Sequence, residues 1–333
     1  MSIYKKNESI YRNEAVDNAK TDSKGVEVTV IMPTYNCLEY LPKAVESVLS
    51  QNATLELIVI DDCSTDGSDE WLHQKSQQDA RLKVIKGEHK GVSAARNLAI
   101  KEARGHWVAF LDADDYWYAD KLEDQLAELK KHPSCILSFT EYDHFGEKGE
   151  YLGACFDFWP RFQKRVKAEG SVVCLSGEQK TSIYEENIIG TSTVVVKTSY
   201  LQAVEGFDET LFSASDWDLW LKISLLGDVL VHKKSTTNYL VRSNSISRNA
   251  ERRIASVERI LDRYRGDMET LNPECCAPAY ARLYIAKAEA YQHQSGHYLS
   301  ALNHYIKACS GLPTKRNLWA LLSHFVKGAI HQR

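Results

Sequence analysis

The stretch His106-Trp-Val-Ala-Phe-Leu-Asp-Ala-Asp-Asp-Tyr-Trp117 decides the fold. Trp107 to Leu111 is a short apolar, β-prone run of the kind a buried strand needs. At its end Asp112, Asp114 and Asp115 fall within four residues. Carboxylates packed that closely repel one another, so a fold gains little from them unless a cation sits between them. Their hard oxygens suit Mg2+ or Mn2+, ions that usually bind through one or two carboxylates plus substrate phosphates. The end of a parallel strand is also where an open α/β sheet places its ligand crevice. A helix N-terminus is the competing account, because a Glu-, Leu- and Lys-rich segment follows and Asp is favoured there. It explains one or two of the acids, not the whole cluster.

Upstream the same grammar repeats. Residues 26–32 predict a first strand, closed by the turn Pro33-Thr-Tyr-Asn36, and apolar residues at 38, 41, 45, 48 and 49 then form a helical stripe. Residues 55–60 are a second apolar run, ending in Asp61-Asp-Cys-Ser-Thr-Asp-Gly67, and a helix starts at Ser68. Residues 81–86 make a third strand, and Gly91-Val-Ser-Ala-Ala-Arg-Asn97 opens a small-residue helix running to about Ala103. The Trp107 strand is the fourth, followed by a helix over about 118–131. Strand and helix thus alternate, which argues for parallel βαβ units in a doubly wound α/β sheet. The polar junctions Thr34/Tyr35/Asn36, Asp61/Asp62 and Asp112/Asp114/Asp115 share one carboxyl edge and predict one composite site. No GxGxxG and no GxxxxGK[ST] occurs, which disfavours a dinucleotide-binding or P-loop fold.

Downstream the alternation lapses. Residues 141–182 read as mixed strands and loops, with Phe156, Phe158, Trp159 and Phe162 forming an aromatic cluster that is either core, the favoured reading, or an acceptor surface. Residues 190–196 predict a strand, and Gly206 to Trp220 leads from a loop into a helix ending near Leu226. Residues 229–232 and 237–241 predict two short strands before a polar loop, Arg242-Ser-Asn-Ser-Ile-Ser-Arg248. From Ala250 the pattern is helical, and residues 284–313 resemble one tetratricopeptide-like hairpin, with Ala301, Tyr305, Ala308 and Pro313 at the expected offsets. The last segment, 315–333, is amphipathic: Leu318, Leu321, Leu322, Phe325, Val326 and Ile330 share a face flanked by Lys315, Arg316, Lys327 and Arg333. Such a helix can lie on an anionic membrane surface or pack on the preceding hairpin, and both readings stand.

The 333 residues, 44% hydrophobic and 26% charged, suit a globular protein of one large domain plus an appendage. A net charge of −4 gives no reason to expect nucleic acid as a partner. The eight cysteines show no CxxC or zinc spacing, so reduced thiols in the cytoplasm are the simplest account. No apolar run is long enough to span a bilayer. Residues 1–24 are polar with mixed charge and read as a flexible extension, 25–248 as the α/β domain and 249–333 as the helical region.

Five separated motifs occur together: Pro33-Thr-Tyr-Asn36, Asp61-Asp62 with Ser64 and Asp66, Gly91 to Asn97, Asp112-Ala113-Asp114, and Ser215-Asp-Trp-Asp-Leu-Trp220. As an ordered set they resemble the family 2 glycosyltransferases with the GT-A fold, over residues 26–248. The resemblance implies a nucleotide-sugar donor, a divalent cation (Mn2+ or Mg2+) and inversion at the anomeric carbon. Pro33, Thr34, Tyr35 and Asn36 would line the nucleoside pocket. Asp62 would accept a hydrogen bond from the base, which favours a UDP-sugar. Arg96 would lie near the nucleotide, Asp112 and Ala113 at the ribose, and Asp114 with Asp115 at the metal. Asp216 matches the family's catalytic base. Asp218 reads as structural, and Trp217 either shelves a sugar or, at helical spacing beside Leu219 and Leu221, joins the core. Thr191, Ser192 and Thr193 are candidates for the acceptor pocket.

Two positions depart from the family pattern. Ser215 stands where an acid usually precedes the base, and Arg242 stands where a His often completes the metal shell. Arg cannot ligate a cation, so either it contacts the diphosphate directly or the loop serves differently. The Gln-x-x-Arg-Trp signature and membrane helices of processive synthases are absent, which implies a single transfer, to a glycan or lipid-linked acceptor of the cell surface. The other readings are a sugar nucleotidyltransferase and a non-catalytic, transferase-like scaffold. Which sugar moves, the linkage and the oligomeric state are not legible.

Overall fold

The computed structural model describes residues 25–167, 169–242, 250–292 and 297–331, the side chains of 326–331 excepted. The N-terminal extension, most of the polar loop after Arg242, and Val326, Lys327, Ile330 and Arg333 of the amphipathic segment lie outside the described residues or side chains. Among the described residues, those within 1–180, 188–209 and 215–243 form one compact unit, and those within 181–187, 210–214 and 244–333 form a second.

The first unit is built on a mixed, largely parallel sheet. β1 (Val28–Thr34) and β2 (Leu55–Asp61) are buried along their whole length, as strands covered on both faces must be. β3 (Leu82–Lys86) pairs with β2, and β4 (Trp107–Phe110) pairs with the other side of β1, all parallel. The crossovers are α1 (Leu41–Leu49), α2 (Ser68–Gln78) and α3 (Val92–Glu102). α1 buries Leu41, Ala44, Val45, Val48 and Leu49, the stripe that its spacing foretells. The chain runs from β1 outward through β2 to β3, then returns to β4 on β1's other side. That reversal opens a crevice between the carboxyl ends of β1 and β4.

Beyond β4 the sheet becomes mixed, in the order β3-β2-β1-β4-β9-β6-β10-β5. β5 (Tyr116–Trp117) pairs antiparallel with β10, so α4 (Lys121–Lys131) starts three residues later than the helical pattern suggests. β6 (Cys135–Gly146) runs parallel to β10, with the short β7 (Tyr151–Ala154) on its edge. The segment then forms α5 (Pro160–Val166) and β8 (Val172–Leu175), which pairs with β10. Of the aromatic cluster, Phe156 and Phe162 are core and Phe158 is exposed. The strand expected over 190–196 is shorter: a single 3-10 turn, Thr191–Thr193, leads into β9 (Val195–Lys197), antiparallel to both β4 and β6. α7 (Thr198–Ala203) and α8 (Ser215–Ser224) follow. The two short strands expected near the end are one, β10 (Asp228–Val241), whose register against β6 shifts at bulges near 228, 232 and 235.

The second unit is helical: α6 (Thr181–Glu185), α9 (Ala250–Leu271), α10 (Cys276–Gln292), α11 (Tyr298–Gly311) and α12 (Lys315–His331). Tyr184 donates to the Leu261 carbonyl at 2.8 Å, and Arg282 pairs with the buried Glu186 at 2.6 Å. Ala301, Tyr305 and Ala308 of the hairpin turn inward, with Ala288 opposite. No helix among the described residues is long and apolar enough to cross a membrane.

Candidate active site

Three loops leave the carboxyl edge and are tied to one another. Asn36, at a left-handed φ of 50°, donates its backbone N–H to Ser64 Oγ at 2.9 Å and accepts from Thr65 N at 2.8 Å. Leu38 N donates to Asp66 Oδ2 at 2.9 Å. Asp62, almost fully buried, accepts from His89 N at 2.7 Å and Gly91 N at 2.9 Å. The Tyr35 ring is half exposed and lies against His89, centroids 4.8 Å apart. Thr34 is buried and its hydroxyl makes no hydrogen bond. Pro33 to Asn36, Ser64 to Asp66 and the segment after β3 therefore form one rim, which an aromatic ring opens to solvent. Sequence reasoning missed Gly87 and His89. The structure shows why a glycine stands at 87: a Cβ there would lie 2.5 Å from Asp62 Oδ1, a closeness that no local sequence pattern announces.

The acids after β4 do not surround one point. Asp112 Oδ1 accepts from Arg96 Nη2 at 2.5 Å, and Arg96 is itself buried over the Phe207 ring. Ala113 is core. Asp114 Oδ2 accepts from Arg242 Nη1 at 3.2 Å. Asp115 is buried, and its oxygens accept from Ser192 Oγ at 2.5 Å and from Leu240 N at 2.9 Å. Two arginines, with Ser192 Oγ and Leu240 N on Asp115, offset part of the repulsion that the sequence implied. Among the described residues no group of three His, Cys, Asp or Glu side chains is placed to hold a metal ion by itself. Asp115, paired with Asp114 at the metal in the sequence reading, is tied by these bonds to the turn before β9 and to β10. Burial, reinforced by Asp114 and Asp112, pushes its carboxyl well above the usual range.

Asp114 keeps a partly exposed carboxylate, raised by burial and by Asp112 against the lowering pull of Arg242. Cys37, also missed, touches the same group: its thiol lies 3.6 Å from Arg242 Nη1, and burial followed by Asp114 pushes its pKa up. One carboxylate, itself paired with Arg242, is too few for a protein-only cation site. Its hard oxygens could serve as one ligand to Mg2+ or Mn2+, ions that usually take the rest from substrate phosphates and water.

Asp216 lies in the first turn of α8, half buried. Its Oδ2 accepts from Thr191 Oγ1 at 2.9 Å and its Oδ1 from Trp217 N at 2.8 Å. Ser215 accounts for its own departure from the pattern, accepting from Ser93 Oγ of α3 at 2.9 Å. Trp217 and Trp220 are buried, Trp220 against Phe110 and Phe207, so neither presents a ring face to a sugar. Asp218 is fully buried near Lys222. Ser192, next to Thr191, also accepts from Asp112 N at 3.1 Å.

Comparison with known proteins bears on the family and the fold. A model of Glycosyl transferase family 2 matches residues 29–178. The β-1,3-glucosyltransferase WfaP of Escherichia coli, named for UDP-Glc and a GlcNAc-diphosphoundecaprenol acceptor, is 30% identical over 228 residues, 67% of this chain and 80% of WfaP. The chain belongs to glycosyltransferase family 2. TuaG of Bacillus subtilis (strain 168), a glycosyltransferase named for teichuronic acid biosynthesis, is 45% identical over 127 residues, 38% of this chain and 50% of TuaG. The chain spans half or less of the length of several curated relatives it matches. S. aureus TarS 1–349 shares the fold of this family 2 member, with a TM-score of 0.62 at 21% identity, over 85% of this chain and 81% of that TarS fragment. TarS has also been solved with UDP-GlcNAc.

Proposed function

We propose that the protein moves one sugar from a UDP-sugar to a hydroxyl of a glycan or lipid-linked acceptor, with inversion, in the assembly of a cell-surface polysaccharide at the cytoplasmic face. The observation that carries this reading is the Thr191–Ser192 pair. Thr191 holds Asp216, and Ser192 holds Asp112 and Asp115, so adjacent residues brace the proposed base and the acids of the proposed donor site. A base fixed relative to the donor is what an in-line displacement needs.

In the proposed reaction the acceptor hydroxyl gives its proton to Asp216 while its oxygen attacks the anomeric carbon from the face opposite the diphosphate. The bond from the anomeric carbon to the diphosphate oxygen breaks, and its electron pair leaves with UDP. Tyr35 covers the base, Asp62 accepts from it, and the Arg96–Asp112 pair meets the ribose. Asp114 would hold Mn2+ or Mg2+, which supplies charge neutralisation for the leaving diphosphate. Arg242, a planar donor fork beside Asp114, adds hydrogen bonds to the same oxygens.

The printed names of WfaP and TuaG, and the UDP-GlcNAc complex of TarS, support a UDP-linked donor and a cell-envelope product. Eight free cysteines suit a reducing compartment. The test is transfer from a panel of UDP-sugars with and without Mn2+, with thermal shift in parallel. UDP should stabilise the protein only with Mn2+, by about 2.7 kcal/mol at a hundredfold excess over its Kd. Stabilisation by a different nucleotide alone would remove Asp62 from the uracil role, and no ligand response at all would favour a scaffold.

A further inference from the structure

We propose that α12 carries an anionic-lipid docking surface, independent of the donor site and of the transferase reading. The helix is held to its own unit by an unexpected face. Asn317 is buried and its Nδ2 donates to the Leu312 carbonyl at 2.8 Å. His324 is buried, stacks on the Tyr298 ring with centroids 4.4 Å apart, and meets the Tyr298 carbonyl at 3.2 Å. Ala320 and Leu321 pack beside them on the Ala288–Ala301–Tyr305 cluster. Polar and aromatic anchoring therefore leaves the apolar stripe outside. Leu318, Trp319, Leu322 and Phe325, at i, i+1, i+4 and i+7, are 45%, 72%, 62% and 46% exposed.

Charge identifies the occupant. After Glu289 the sequence holds no further Asp or Glu, yet it holds Lys307, Lys315, Arg316, Lys327 and Arg333, in a chain whose net charge is −4. Lys315 lies three, four and seven residues before Leu318, Trp319 and Leu322, on the same stripe, and Arg316 lies at its flank; both are exposed. A protein partner with an apolar patch would meet Leu and Phe equally well, but it would not require an acid-free, basic surround. A bilayer with anionic headgroups takes both: basic side chains meet phosphates, while Trp and Leu enter the interface in the plane of the membrane. Trp is also the side chain that favours that boundary.

The experiment is flotation of the full chain with vesicles of phosphatidylcholine alone and of phosphatidylcholine with phosphatidylglycerol, at low and physiological salt. Binding is expected to the anionic vesicles, weakening with salt. Trp319→Glu/Leu322→Glu should abolish it, and Lys315→Gln/Arg316→Gln should lower partitioning about fivefold for each charge removed. Circular dichroism melts and the UDP thermal shift should be unchanged in both variants, which separates this surface from the donor site. Absence of binding by the full chain, or equal binding to neutral vesicles, overturns the proposal. A dimer in solution that Trp319→Glu/Leu322→Glu converts to monomer, with lipid binding unaltered, also overturns it and assigns the stripe to a second copy.

Discussion

Arg242 Nη1 donates to Asp114 Oδ2 at 3.2 Å, so a guanidinium sits on the carboxylate proposed for the cation. A divalent ion must compete with that pair until a diphosphate draws the arginine away. Arg242→Ala should therefore strengthen Mn2+ binding to the nucleotide-free protein severalfold. It should weaken UDP binding in saturating Mn2+ by about tenfold to a hundredfold, the worth of a hydrogen bond to a charged group. Titration calorimetry of each ligand separates the two effects; if both affinities hold, Arg242 belongs to neither step.

Asp216→Asn should reduce transfer by about 10²–10⁴-fold while UDP affinity stays within about twofold, since only proton removal is lost. Thr191→Val, which removes the donor to Asp216 Oδ2, should cost about tenfold in kcat with little change in UDP binding. Initial rates at saturating donor, read beside UDP titrations, check both. Turnover retained in Asp216→Asn would move the base elsewhere.

Gly87→Ala tests the rim. The new methyl would stand 2.5 Å from Asp62 Oδ1 and 3.0 Å from Asp62 Cα, so either the carboxylate or the backbone after β3 must move. The expected result is a loss of stability of about 1–3 kcal/mol and a drop in UDP affinity of about tenfold or more. Denaturant unfolding and UDP titration measure them. Wild-type UDP affinity in a folded variant would show that Asp62 does not hold the base.

Glu141 gives a pH prediction. Burial raises its carboxyl to about 7, although the Tyr142 and Phe156 amides pull it down. A raised carboxyl binds its proton more tightly when folded. Its stabilisation is thus complete below about pH 4.3, its ordinary value, and is lost as pH rises through about 7. The loss is on the order of 3 kcal/mol. Glu141→Gln should match the wild type near pH 5 and exceed it near pH 8, in urea unfolding at fixed temperature. An unchanged pH slope in the variant would assign the dependence to another group.

The parallel half of the fold was legible because its strands are buried on both faces. β1 and β2 then read as unbroken apolar runs, and α1 as a clean stripe. The rest was not, because its order comes from distant pairings. Lys233 and Lys234 interrupt the apolar pattern of β10 at its bulges, so one strand read as two. At the site, the rim motifs and Asp216 were visible as residue types. Their partners were not: Arg96 meets Asp112 across 16 positions, Ser93 meets Ser215 across 122, and Arg242 meets Asp114 across 128. The spacing of Asp115 beside Asp114 suggested a shared ion, whereas its contacts to Ser192 and Leu240 are announced by no local pattern.

Because Leu240 N is fixed to Asp115 at 2.9 Å, Arg242 leaves the sheet only two residues beyond a clamped peptide. The ordering cost of this cation is met when β10 zips, not when a donor arrives. Fraying of that strand end would then loosen the guanidinium without unfolding the sheet. Substitutions at Asp115 or Ser192 that spare the melting temperature would still erode donor affinity, so binding would report the health of this sheet edge sooner than calorimetry of unfolding.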